Sequence, residues 1–391
     1  MSLMTEERRM IKDAARQFTM AEVLPVANRL DPERGEIPME LRDKMSEMGY
    51  FGILIPEEDG GLGLGCFEYC LVAEELARGW MSVASLIARG NGLLSMDTAM
   101  TAEQRKRILP RMAAGECLGA FSLSEPDTGS DVSSLSCRAE KDGDEWVITG
   151  NKYWCTFADG ADFILIMART DQTVPDNKRH QGISAFMVEK PRGMLPENVS
   201  GATIPKIGYH GWKTWELAFD GCRVPAANMI GEEGKAFYML SHGLEKARAH
   251  TAARSIGLAQ GALEDATAYA QERRQFGKAI GEFQAIRFKL ATMATEIEAA
   301  RQLLYYVCSE IDGNRRCDKE AAMVKLFASE MSERVCSEAL QVFGGAGYTT
   351  LYAVERYWRD ARLTKIFEGT SEIQLRIISD HLLGRQRDGK S

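Results

Sequence analysis

From about residue 5 to residue 118, apolar residues recur every three or four positions, as in "ERRMIKDAARQFTMAEVLPVANRL", "MELRDKMSEMGYFG" and "CFEYCLVAEELARGWMSVASLIARG". A helix turns once per about 3.6 residues, so this spacing lines them along one face and predicts helices. The Gly-rich "PEEDGGLGLG" between two of these runs fails GxGxxG and follows no strand, so it reads as a connection. At Leu118 the period changes. "DEWVITGNKYW", "DFILIMART", "GISAFMVEK" and "WELAFDGCRV" are short β-branched and aromatic runs broken by Gly, Asp and Pro, and they predict strands up to about Ile230. Past "GEEGKAF" the helical period returns in "AARSIGLAQGALEDATAYAQERR", "FQAIRFKLATMATEIEAARQLLYYVCSEID" and "KEAAMVKLFASEMSERVCSEALQVFGG". Long helices with short connections predict a bundle. The expected fold is α+β in three parts: helices over 4–118, a β domain over 119–232 and a helical bundle over 233–391.

Composition narrows the class. The 391 residues suffice for two or three domains, and 45% hydrophobic with 27% charged is an ordinary soluble balance. The net charge of −8 comes with no basic block, which argues against nucleic acid. The longest apolar run, "FILIMA", is far too short for a membrane span. No signal-peptide pattern is visible in "MSLMTEERRMIKDAARQF", whose leading "MSL" reads as vector-derived. Nine cysteines without a CxxC pair suggest reduced thiols and a cytoplasmic setting. Cys66 and Cys70 lie one helical turn apart without a zinc-like companion, and the five histidines form no HExxH, so no metal is expected.

Chemistry concentrates in five short stretches. In "KIFEGTSEIQ", Glu368 precedes Gly369 and a helix start, with Ser371 and Gln374 spaced as a capping box. "FSLSEPDTGSDVSS" offers Ser, Thr and Gly positions that expose backbone N–H groups, suited to a flavin's pyrimidine edge or a phosphate. In "NKYWCT", the strand period of two would put Trp154 and Thr156 on one face, able to stack on a planar ring. "ERRQFGK" would set Arg273 and Phe276 one turn apart at a helix end. "QVFGGAGY" ends a helix with a Gly pair that admits a close neighbour. Singly, each has an ordinary structural explanation: a turn acid, a core aromatic, a solvated face, a helix cap.

In this order the stretches "EPDTGSD", "GNKYWCT", "ERRQFGK", "QVFGGAGY" and "IFEGTSEIQ" resemble the acyl-CoA dehydrogenases over nearly the whole chain. The resemblance implies N-terminal helices, a central β-barrel-like domain and a C-terminal four-helix bundle. It implies FAD, an acyl-CoA substrate oxidised between Cα and Cβ, an electron-transferring flavoprotein as acceptor, and a homotetramer. Glu368 matches the base. Leu123, Ser124, Gly129, Ser130, Trp154 and Thr156 match the isoalloxazine contacts. Arg273, Gln275 and Phe276, with Gln341, Gly344 and Gly345, match further FAD contacts, one set arriving from a neighbouring subunit. Thr370 and Ser371 would face the FAD phosphates or adenosine, and Ser130, Arg248 and Gly369 the acyl-CoA.

Departures from the family pattern carry information too. Asp127–Thr128 replaces a small pair in the first loop, and Cys155 stands for a branched aliphatic. Ala247 occupies the place of the isovaleryl-type base, which leaves Glu368 alone for that role. A Glu among apolar neighbours is expected to have a raised pKa. Ala84, Ser85 and Ala88 would leave the acyl pocket floor open, and Ala84 replaces the Arg of glutaryl-CoA dehydrogenases. Arg89 follows on that helix and could swing into the floor. "ARGWMSV" and "HTAARSIGLAQ" also resemble the methylsuccinyl-CoA dehydrogenase branch. A short or branched acyl chain is the main expectation, with a carboxylated chain as the sharper alternative. An acyl-CoA oxidase, a nitroalkane oxidase, or a silent acyl-CoA-binding subunit are the competing readings.

Overall fold

The structure, a computed structural model, describes residues 3–384. Its N-terminal helices are α1 (Glu6–Phe18), α2 (Leu24–Leu30), α3 (Met39–Glu47), α4 (Cys66–Gly79), α5 (Met81–Leu86), α6 (Asn91–Leu94) and α7 (Ala102–Ala113). A single wide turn, Thr19–Val23, joins α1 to α2. The run over 66–90 is not one helix. It breaks at Trp80, whose backbone is extended and whose side chain is fully buried. Gly79 precedes the break, and a Cβ there would meet Thr19 Cγ2 at 2.7 Å, so the helices pack too closely for a larger residue. The break redirects α5 toward the site.

The central strands are β1 (Gly119–Ser122), β2 (Arg138–Asp142), β3 (Glu145–Thr156), β4 (Phe163–Arg169), β5 (Ile183–Glu189), β6 (Val199–Thr203), β7 (Thr214–Pro225) and β8 (Met229–Ile230). They form a sheet in the order β6-β7-β3-β2-β4-β5-β8, with β1 beside β4 and parallel to it. The run "FILIMA" is apolar throughout because both faces of β4 are covered. Phe163, Leu165 and Met167 join the core under α7, while Ile164, Ile166 and Ala168 join Trp146, Ile148 and Phe186 on the other face. The strands missed by pattern, β1, β2, β6 and β8, are short, and β2 and β6 are largely exposed, so neither alternation nor apolar content marks them.

The last part comprises α8 (Ala236–Glu272), a small hairpin of β9 (Arg274–Gln275) and β10 (Lys278–Ala279), then α9 (Gln284–Asp312), α10 (Asp318–Phe343), α11 (Val354–Thr364) and α12 (Ser371–Leu383). At 37 residues α8 runs on the order of 55 Å and packs against α4, α9, α10 and α11. Alanines at 249, 252, 253, 259, 262 and 266 are fully buried and let its neighbours come close. Buried charges lock the bundle to the N-terminal helices: Glu74 of α4 accepts from Lys12 of α1 and Arg301 of α9, both at 2.9 Å.

Candidate active site

Glu368 lies in the turn between α11 and α12 with a left-handed backbone, φ +53°, followed by Gly369 at φ +88°. An L residue held there costs on the order of 1 kcal/mol, so the turn must be fixed from outside. Lys325 of α10 and Gln374 of α12 do so by donating to the Gly369 carbonyl at 2.5 and 3.1 Å. A Cβ on residue 369 would meet Gln374 Nε2 at 2.6 Å, which explains the glycine. The cap differs from expectation. Thr370, not Ser371, caps α12 by accepting from Ile373 N, while Ser371 Oγ donates to Glu330. Ser371 N is also spent on the Lys365 carbonyl, so this residue has little left to offer a phosphate.

The carboxylate points back to α8. Its Oε1 accepts from Arg254 Nη2 at 2.6 Å and its Oε2 from the Thr251 hydroxyl. The side chain is 31% exposed. Burial alone would raise its pKa. Arg254 first, then the hydrogen bonds from Thr251 and Arg254 and the charge of Arg89, outweigh burial and hold the carboxyl below its ordinary value. The raised value expected from apolar neighbours does not occur, because the flanking chain suggested an apolar environment while α8 supplies a guanidinium.

From Glu368 a string of contacts leads to the sheet. Arg254 Nη1 donates to Ser85 Oγ at 2.7 Å, and Arg89 Nε donates to the Ser85 carbonyl at 3.1 Å. Arg89 Nη1 then reaches the Thr156 carbonyl at 3.4 Å, its guanidinium 4.8 Å over the Trp212 ring. Arg89 is therefore partly buried and not a solvated residue.

The proposed flavin contacts at the sheet edge fall together. Tyr153 N donates to the Ser124 carbonyl at 2.8 Å, and Lys152 Nζ donates to the Leu123 carbonyl at 3.0 Å. Buried Glu125 anchors the "EPDTGSD" loop by pairing with Lys152 at 2.8 Å and accepting from Ser136 and Cys137 N–H. Between Lys152 and Cys155 the β3–β7 ladder bulges, and Trp154 takes φ +64°. The bulge, rather than a plain pleat, turns Trp154 outward. Trp154 is 55% exposed, while Cys155 is buried and Thr156 is half-buried, with its hydroxyl 3.0 Å from that of Thr214. Gly129 and Ser130 are exposed, with open space beside Gly129. An uncovered indole beside a small-residue loop fits a planar isoalloxazine.

The remaining predicted contacts sit at another end of the bundle. Arg273 is not on the helix but caps it in extended backbone, and Phe276, 93% exposed, is in the tip of the β9–β10 hairpin. Gln341, Gly344 and Gly345 close α10 nearby, where Tyr269 of α8 stacks on Phe343 at 4.1 Å. Both sets are exposed. Arg248 is buried on α8, 3.9 Å from Asp318, and its Nη1 has no hydrogen-bond partner. Arg254, Thr251 and Lys325 were not singled out from sequence. The available signal was a lone Arg in the otherwise small and apolar "AARSIG" of a helix.

Comparison with known proteins agrees along the chain. Residues 5–116, 120–222 and 234–383 match the N-terminal, middle and C-terminal domains of acyl-CoA dehydrogenases. The chain belongs to the acyl-CoA dehydrogenase family. It is 43% identical to (2S)-methylsuccinyl-CoA dehydrogenase of Cereibacter sphaeroides, over 97% of this chain and 70% of that one. It is 39% identical to subunit CarC of the caffeyl-CoA reductase-Etf complex of Acetobacterium woodii, over 97% and 99%. The solved structure of butyryl-CoA dehydrogenase from Megasphaera elsdenii superimposes with a TM-score of 0.90 at 35% identity, covering 97% of this chain and 98% of that one. The family's enzymes are FAD-dependent oxidoreductases, and the acyl-CoA dehydrogenase fold expected from sequence is the one observed. Among the described residues no helix is long and apolar enough to cross a membrane.

Proposed function

We propose that this enzyme converts a short or branched acyl-CoA to its trans-2-enoyl-CoA, with Glu368 as the base. The observation that supports it most is the unbroken string Glu368–Arg254–Ser85–Arg89–Thr156, which ties the carboxylate to the strand carrying Trp154. Bound FAD supplies the two-electron acceptor for the hydride that leaves Cβ. Glu368 takes the α-proton. Thr251 and Arg254 orient its carboxylate, Phe367 and buried Tyr209, with rings 5.9 Å apart, shield it, and Lys325 fixes the turn that carries it.

By residue, Leu123, Ser124, Gly129, Ser130, Trp154 and Thr156 would hold the isoalloxazine, and Thr370 the phosphate side. Arg273, Gln275 and Phe276, together with Gln341, Gly344 and Gly345, would serve FAD, one set reaching it from a neighbouring subunit. Arg248, Ser130 and Gly369 would meet the acyl-CoA. The domains would divide near residues 118 and 232. An electron-transferring flavoprotein as acceptor is supported by the CarC relative, which belongs to an Etf complex. The short-chain preference is supported by the butyryl-CoA dehydrogenase neighbour.

The test is anaerobic. Purified enzyme carrying FAD should lose its yellow absorbance on adding butyryl-CoA or a branched acyl-CoA. No bleaching by any acyl-CoA would leave a silent binding subunit, and stoichiometric peroxide in air would make it an oxidase.

A further inference from the structure

Three thiols that the dehydrogenase chemistry does not use meet in the core where α4 packs on α9. Cys66 Sγ lies 3.9 Å from Cys70 Sγ, one turn along α4, and 4.0 Å from Cys308 Sγ of α9. The three sulfurs all fall within 4.8 Å of one another, and each residue is at most 2% exposed. None is in a disulfide. A lone buried thiol packs as a small apolar group. Here more than sulfur packing sets the spacing. Asp312, one turn past Cys308 on α9, accepts from the N–H groups of Cys66 and Phe67 at 2.6 and 3.0 Å, which pins the start of α4 to α9 beside the sulfurs. Gly65 permits this clamp, since a Cβ there would meet Asp312 Oδ2 at 2.6 Å. The thiols are thus brought together by backbone and carboxylate, without any bond between them.

We infer that Cys66, Cys70 and Cys308 form a three-coordinate, all-sulfur site for a soft metal ion, Cu(I). The distances suit one central ion: a metal–thiolate bond of about 2.3 Å puts the corners of a trigonal plane about 4.0 Å apart. Ligand number then selects the ion. Thiolate sulfur favours Cu(I), zinc and iron–sulfur clusters. Closed zinc sites and the common clusters need four protein ligands, and among the described residues no fourth His, Cys, Asp or Glu joins this group. The three thiols belong to the apolar core, which leaves a water in the fourth position without hydrogen-bond partners. Cu(I) is satisfied by three sulfurs. Binding is a proton exchange with no redox step: Cu(I) displaces two thiol protons to solvent and bonds the third sulfur through its lone pair. The one negative charge left over lies at the start of α4, where the positive end of the helix offsets part of it. The ion has a way in, because the Gly-rich connection "PEEDGGLGLG", exposed at Leu62 and Leu64, runs directly onto Cys66. Sequence spacing hides the site, since Cys308 lies more than two hundred residues past Cys66.

The experiment titrates the FAD-loaded protein with Cu(I) held by a chromogenic chelator, under anaerobic conditions so that no thiol is oxidised. Wild type should take one Cu(I) per chain from the chelator and melt at a higher temperature once loaded. X-ray absorption should show three sulfur neighbours at about 2.3 Å. Cys66→Ala, Cys70→Ala and Cys308→Ala should each bind Cu(I) about 100-fold more weakly or worse, since even the groups that orient a ligand carry about 10- to 100-fold. Cys222→Ala, which removes a buried thiol of β7, should bind as wild type does. Wild type that takes up no Cu(I), or that holds it through two sulfurs, overturns the inference whether or not the variants fold. So does an unchanged affinity in the three variants, an equal loss in Cys222→Ala, or displacement of the bound Cu(I) by an equal concentration of Zn2+.

Discussion

That Glu368 stands in a turn ahead of a glycine and a helix start is encoded within a few residues, whereas its role as base came from the family resemblance alone. Its electrostatics could not, because Arg254 arrives from a helix more than a hundred residues earlier in the chain. The same α8 turn carries His250, which is fully buried and stacked on Tyr69 at 4.7 Å. Burial first, then Arg254 and Arg89, press its pKa well below the ordinary value. A base whose folded pKa is depressed binds fewer protons folded than unfolded. Its effect on stability is therefore absent above the unfolded value near 6.5 and costs up to about 1.4 kcal/mol per pH unit below it. Thermal unfolding should shift down between pH 7 and pH 5, and His250→Phe, which keeps the stacked ring, should flatten that slope. An identical slope in the variant would place the acid sensitivity elsewhere.

At the level of elements, long periodic helices such as α9 and α10 matched their sequence runs to within a residue or two, since one buried stripe persists for many turns. Two elements escaped the pattern for opposite reasons. The break at Trp80 is set by close packing against Thr19 and Val23, which no local signal records. The β9–β10 hairpin is polar and exposed, so it has no stripe to read. That hairpin puts Arg273 and Phe276 on a projecting tip, which suits a contact beyond the chain's own core. Arg273→Ala should leave the melting temperature within a degree or two of wild type, because an exposed cap residue contributes little. It should reduce the flavin-to-protein ratio after desalting, since a guanidinium pairs with a pyrophosphate in a bidentate way. An unchanged ratio would remove Arg273 from the cofactor site.

Seen whole, the molecule leaves large apolar side chains uncovered around that same end: Phe276 at 93%, Tyr348 at 83% and Leu351 at 82% exposed. A cavity of about 310 Å³ opens beside Leu351, lined also by Tyr269, Phe343 and Arg356. Such a surface fits a subunit contact, as the homotetramer implied by the family resemblance would require. Leu351→Asp should lower the mass seen by light scattering and lose flavin in parallel; loss of assembly with full flavin retention would separate the two. At the centre of the proposed function Glu368 removes the α-proton beside a bound flavin. The direct measurement is the rate of anaerobic flavin bleaching by acyl-CoA in wild type and Glu368→Gln, each with its flavin content determined first. The amide keeps the shape but cannot take the proton, so the variant should stay fully loaded with FAD and bleach slower by about a thousandfold or more. A loaded Glu368→Gln enzyme that bleaches at more than about a tenth of the wild-type rate would mean that another residue is the base.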